Sequence, residues 1–267
     1  WGVCAVTLLE AAGATLGRAA IVAAAASVAA IPIARTLRST APPALRRTFL
    51  LVMAAIWLAP SLLIAYAYAD FSGTLIRQPV MREISYSLLL IAKLLPIAAA
   101  VGWLAPSPPI DAAGTWCARL SPREATVRGA MARLRIWMMG PARTAALAWA
   151  AVFLLAFTEF EIAARFVGTP SWAVWLFDAQ AGVSSWAFLP KSLAIPVAIE
   201  AVVVAAALAI VWTARPGHEH QGHARATFRR HRARVWLAAA LLAAAMSAVL
   251  LWPAWRVMAE AWQVDAV

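Results

Sequence analysis

The stretch LPKSLAIPVAIEAVVVAAALAIVW, residues 189–212, carries only Lys191 and Glu200 as charges. About 20 mostly apolar residues in a helix cross the hydrocarbon core of a bilayer, so this segment reads as a membrane span. Five more apolar runs accompany it: Leu16–Ala34, Thr48–Ala69, Ile84–Ala105, Ala142–Phe157 and Val235–Trp252. Ala, Leu, Ile and Val fill them without period-two alternation, which argues against a barrel and for helices. The expected fold is an all-α polytopic transmembrane helical bundle of about six spans. Residues 1–14 read as an interfacial lead-in. With 64% apolar and 13% charged residues, the chain departs from soluble domains, in which about a quarter of residues are charged.

The net charge of +11 could suggest a nucleic-acid partner, but its placement excludes that reading. Arg35, Arg38, Arg46 and Arg47 occupy the first loop. Arg119, Arg123, Arg128, Arg133, Arg135 and Arg143 occupy the third. Arg215, Arg225, Arg229, Arg230, Arg232 and Arg234 occupy the fifth. The intervening loops 70–83 and 159–187 hold only Arg77, Arg82 and Arg165. Sixteen against three is a strong positive-inside bias, which puts the three basic loops in the cytoplasm. Trp103, Trp149, Trp186, Trp212, Trp236 and Trp252 sit near span ends, where amphipathic rings are favoured. The outer stretch GTPSWAVWLFDAQAGVSSW is too apolar for a solvated connection; it lies on the membrane surface or packs against a partner.

Between Arg123 and Met138, the residues Val127, Met131, Leu134 and Met138 recur at spacings of four, three and four. That is one face of a helix, with Arg128 and Arg135 on another face and Pro141 interrupting just before the fourth span. Such a helix lies along the cytoplasmic membrane surface. Its arginines then meet either anionic headgroups or a soluble partner.

Glu124, Ala125, Gly129, Ile136 and Pro141, followed by ARTAALAWAAVFLLAFTEFEIA, resemble the cytoplasmic loop motif of binding-protein-dependent ABC importer permeases. Asp111, in the triplet Asp111-Ala112-Ala113, offers a second register for the motif's acid. The segments TLGRAAIVAAAASVAAIPIARTLR, WLAPSLLIAYAY and YSLLLIAKLLPIAAAVGW resemble the family's preceding spans, in order. The likeness covers roughly residues 15–213 and is nearest to the ferric-iron permease subgroup, in which two homologous halves are often fused. It implies a first permease half over residues 1–213 and a basic cytoplasmic linker over 214–234. The first span of a second half then occupies 235–267. The chain is accordingly read as a fragment of a longer protein in a bacterial inner membrane.

The resemblance also implies alternating access and three partners: a cytoplasmic ABC ATPase, a periplasmic substrate-binding protein and a second permease half. The ATPase grips residues 121–138, with Glu124 and Arg128 as surface contacts and Gly129 allowing a tight turn or a close approach. ATP is used by that partner; this chain binds no cofactor and has no catalytic site. Ferric iron is the substrate the subgroup suggests.

Lys93, Glu200 and, at a span end, Glu159 are charges within the expected membrane depth, where each needs a partner or water. Lys93 is expected to pair with Glu200, or with Glu159 or Glu161, as a structural bridge or on the substrate path. An ion-coupled secondary transporter using Lys93 and Glu200 is the rival reading. A membrane enzyme lacks a compact set of catalytic side chains, and an Ala-rich scaffold is the plainest alternative. His218, His220 and His223, with His231, fall in PGHEHQGHARATFRRHR. Converging imidazoles bind divalent metals, but neighbouring cations oppose that, so a solvated linker is expected. Cys4 and Cys117 stand too far apart in sequence to imply a disulfide framework or a metal site.

Overall fold

The computed structural model describes residues 8–38, 42–105, 141–166, 171–182, 189–212 and 232–264. Among these residues the regular structure is all helical. Helix α1 spans Leu8–Arg38, α2 Pro43–Leu58, α3 Ser61–Ala67, α4 Ala69–Thr74 and α5 Pro79–Leu104. Helix α6 spans Pro141–Phe157, α7 Glu161–Arg165, α8 Trp172–Gly182, α9 Leu189–Trp212 and α10 Arg232–Met246. A π-helical turn, Ser247–Leu251, joins α10 to α11, Trp252–Val264. Prolines open α2, α5 and α6, where a missing N–H has no intrahelical partner to lose.

Among the described residues, four helical stretches are long and apolar enough to cross a membrane: Leu8–Arg38, Pro79–Leu104, Leu193–Trp212 and Arg232–Trp262. Counting the pair α2–α3, bent by 73°, gives five. The expected fourth span, α6, has 17 residues, or about 26 Å at 1.5 Å per residue, and falls short on length alone. Beside the expectation of about six spans, the described helices differ in length and straightness. Their ends differ from the sequence reading too. Helix α1 begins at Leu8, inside the stretch read as a lead-in, and the final helix continues past Trp252 to Val264.

The break between α2 and α3 follows from Pro60. It lacks a donor, and proline pushes the preceding residue out of helical geometry; Ala59 accordingly sits at φ −59°, ψ 123°. Elsewhere Pro32, Pro96 and Pro196 stay inside continuous helices. Neighbouring helices and hydroxyls make this tolerable in membrane segments. In the turn after Pro32, Thr36 Oγ1 donates back to the Pro32 carbonyl at 2.7 Å.

The core is made by α1, α5 and α6. Ala12, Ala19, Ala23, Ala26, Ala30, Ile33 and Leu37 form one buried face of α1, at spacings of three, four and seven. Small residues let backbones approach closely where lipid gives no hydrophobic drive between helices. A Cβ at Gly102 of α5 would lie 3.1 Å from Ala34 Cβ of α1, so this crossing is set by a glycine. Hydrogen bonds to main-chain carbonyls lock the bundle. Arg38 donates to the carbonyls of Trp103 (3.1 Å) and Ala105 (2.7 Å) at the end of α5. Trp149 Nε1 donates to the Ala20 carbonyl at 3.3 Å.

These contacts fix the helix directions. Arg18 meets Glu83 near the starts of α1 and α5, and Arg38 meets Ala105 at their ends, so the two run parallel. Phe157, at the end of α6, accepts from Trp172 Nε1 at 2.7 Å, while the Trp172 N–H donates to Thr15 near the start of α1 (3.1 Å). Helix α6 is therefore antiparallel to α1. Arg143, at the start of α6, reaches the Ile210 carbonyl near the end of α9, so α9 runs back again. The segment α10–α11 runs beside α2–α3 in the same sense, with Tyr68 Oη donating to the Ala248 carbonyl at 2.9 Å. Successive long segments thus alternate in direction, as the sorting of basic residues between loops requires. The end carrying Arg35, Arg38 and Arg143 is called the basic end below.

Candidate functional site

Two helices break at the same level of the bundle. Helix α2 stops at Leu58 and the chain restarts as α3 at Ser61, while α6 stops at Phe157 and restarts as α7 at Glu161. The short helices α3 and α7 pack on one another, so the two breaks lie together. Broken spans expose backbone only where protein or a polar cavity can satisfy it. A cavity of about 450 Å³ occupies this place. Its lining includes Trp57, Ser61, Lys93, Thr158, Glu159 and Glu161, with Leu62, Leu94 and Leu155 as apolar wall.

Lys93 enters from the middle of α5, about 21 Å along the helix from Pro79 at 1.5 Å per residue. The residue is only 7% exposed. Its ammonium donates to Ser61 Oγ and stands 3.9 Å from Glu159 Oε2. That separation is beyond a hydrogen bond, so this is an electrostatic pairing and not a closed salt bridge. Glu159 is oriented by its other oxygen, Oε1, which accepts the Ile162 N–H at 2.9 Å. Thr158 Oγ1 donates back to the Leu154 carbonyl at 2.9 Å, which also accepts the Thr158 N–H at the end of α6. Burying an unpaired charge at this depth is unfavourable by several kcal/mol. The cavity edge supplies the partners that make Lys93 tenable.

Of the partners expected for Lys93, the structure brings up Glu159, with Glu161 exposed on the cavity rim. The expected Lys93–Glu200 pair is not formed. Glu200 sits on α9, which packs along α6, whereas Lys93 points to the α2–α3 break; among the described residues Glu200 makes no ion pair. Ser61 and Thr158 escaped the sequence reading. Pro60 in the middle of an apolar run was the available signal for the first, since a break there frees polar groups at membrane depth. Pro141 opens α6, while Glu124, Ala125, Arg128, Gly129, Ile136 and Asp111 lie outside the described residues. So do His218, His220, His223 and His231. Among the described residues, no group of three or more His, Cys, Asp or Glu is placed to hold a metal ion.

A second charged cluster was also missed. Arg18 on α1 is 5% exposed and grips both carboxylate oxygens of Glu83 on α5, the Nη2–Oε2 contact being 3.0 Å. The guanidinium lies 4.9 Å from the centroid of the Tyr86 ring, and Tyr86 packs on Phe166 at 5.3 Å. At the end away from the basic loops, Arg256 bonds Asp70 at 2.7 Å and Glu260 at 3.1 Å, and Tyr66 Oη donates to Glu260 at 2.9 Å. This outer network ties α3 and α4 to α11.

An all-helical bundle with several membrane-length apolar helices defines the chain as a membrane protein of the helical kind. Comparison with protein-family models, with curated proteins and with solved structures finds no match.

Proposed function

We propose that this chain is the membrane-spanning permease subunit of an ATP-driven importer, and that the cavity at Lys93 and Glu159 lies on the substrate's route. A binding protein delivers the substrate on the outer side, and a cytoplasmic ATPase engages residues 121–138 and drives alternating access in a bacterial inner membrane. A second permease half completes the pathway. The chain itself makes and breaks no bonds. The observation that carries the reading is the charged cavity at two facing helix breaks. Interrupted spans build the binding sites of many secondary transporters, and ionisable residues at membrane depth mark substrate pathways more widely. The resemblance of Glu124, Ala125, Gly129, Ile136 and Pro141 to the importer loop motif supports the ATPase coupling.

Purifying the full chain from its own cells in mild detergent tests the proposal through the ATP hydrolysis that accompanies it. Deleting residues 121–138 is expected to remove that activity while the bundle stays folded. Retention of ATP hydrolysis after the deletion overturns the coupling assignment. The buried Lys93–Glu159 pairing beside a cavity also favours a second reading, an ion-coupled secondary transporter. Uptake that collapses with a protonophore at constant ATP would select it.

A further inference from the structure

The cavity's polar groups are unsatisfied in a complementary way. Lys93 has three N–H donors. Ser61 accepts one, and Glu159 Oε2 is 3.9 Å away, too far to take another. Among the described residues the ammonium therefore keeps donors that bond no protein atom, in a side chain more than nine-tenths buried. Glu159 stands the other way round. Its Oε1 is held by the Ile162 N–H, and its Oε2, on the Lys93 side, accepts no hydrogen bond among the described residues. Unused donors and an unused acceptor thus flank one space of about 450 Å³. This lies within the 300–1,000 Å³ typical of small-molecule sites and far above the ~30 Å³ of a single water.

Resting on the importer reading, we propose that the substrate is a small zwitterion of the α-amino-acid class. Its carboxylate takes the free N–H donors of Lys93, and its ammonium donates to Glu159 Oε2, with Glu161 at the rim. Charge-assisted hydrogen bonds are about twice as strong as neutral ones, which favours a zwitterion over a polyol of equal size. A plain anion meets Glu159 and Glu161, and a plain cation meets Lys93. Trp57, Leu94 and Leu155 leave an apolar wall for a side chain. The ferric ion suggested by the sequence resemblance fits poorly. Hard cations take about six oxygens at 2.0–2.6 Å, and here two carboxylates share the space with an ammonium.

The test is ligand-induced thermal stabilisation of the full chain in lipid nanodiscs, which rises with ligand concentration over Kd. The probes are α-amino acids graded from glycine to arginine, at up to millimolar concentration. For each that binds, its decarboxylated amine, its deaminated acid and ferric citrate follow. At least one amino acid is expected to stabilise the protein, with its amine and its acid binding about tenfold more weakly. Lys93→Gln is expected to weaken the amino acid about tenfold and leave the amine unchanged; Glu159→Gln does the same and leaves the acid unchanged. If Lys93→Gln does not fold, Glu161→Gln at the exposed rim is expected to weaken amino-acid binding about threefold. No stabilisation by any amino acid overturns the proposal, as does an amine or ferric citrate binding as tightly as the amino acid. Loss of amino-acid binding with ATPase association intact removes the substrate class alone. Amino-acid binding without any ATPase removes the importer reading and leaves the site.

Discussion

Two of the three cations buried among the described residues, Arg18 and Lys93, make opposite kinds of contact. Arg18 is closed in on itself, held by both oxygens of Glu83 and stacked on Tyr86, where α1 and α5 pack. Lys93 is open: one hydroxyl, one carboxylate at 3.9 Å, and a cavity beside it. The residue types suit these jobs. A guanidinium presents a planar fork that matches the two oxygens of a carboxylate, whereas an ammonium is a point charge with rotatable donors. The bidentate pair joins two helices. The open one leaves donors for the proposed ligand.

That contrast predicts opposite phenotypes. The largest effect is on stability: Arg18→Ala strips Glu83 of its partner and removes the stacking on Tyr86. With Glu83 partly exposed, the loss is expected at about 2–3 kcal/mol in reversible unfolding in detergent. Uptake per folded molecule should be unchanged. Lys93→Gln should reverse the pattern, lowering uptake about tenfold while shifting stability by less than about 1 kcal/mol. Equal losses of stability in the two variants would erase the distinction.

Double-mutant cycles sharpen it further. The Arg18–Glu83 coupling is expected at about 1–2 kcal/mol and the Lys93–Glu159 coupling below about 0.5 kcal/mol. Next comes the parallel α1–α5 crossing that positions both clusters. Gly102→Ala adds a methyl 3.1 Å from Ala34 Cβ and should destabilise by about 1 kcal/mol, read as a lower unfolding midpoint. Smallest is Arg38→Ala, which frees two carbonyls near the basic end, where water can reach them. Less than about 1 kcal/mol is expected from the same unfolding measurement.

Much of the helical layout is legible in the sequence, because apolar runs report helices directly. Helix α9 has the ends expected of it, Leu189–Trp212, and α6 starts one residue early, on Pro141. The expected second span, Thr48–Ala69, reads as continuous because hydropathy averages over Pro60; backbone chemistry at that one residue divides it. The charged site is half legible. A lysine in the middle of a span announces itself through its desolvation. Its partner depends on which helix α5 meets, and α6 brings Glu159 to Lys93 while α9 keeps Glu200 away. Arg18 and Glu83 are 65 residues apart on parallel helices, so no local spacing links them.

A cavity on the transport route must be reachable by solutes and close when it is filled. In a background with Cys4→Ser and Cys117→Ser, a single Thr158→Cys places a thiol on its wall. The measurement is reaction of reconstituted protein with a membrane-impermeant thiol reagent added from the outer side, followed by uptake of an amino acid that stabilises the protein. Rapid modification that abolishes uptake, and is slowed when that amino acid is present, is the predicted result. A thiol that the reagent does not reach, or a modified protein that transports at the original rate, contradicts it.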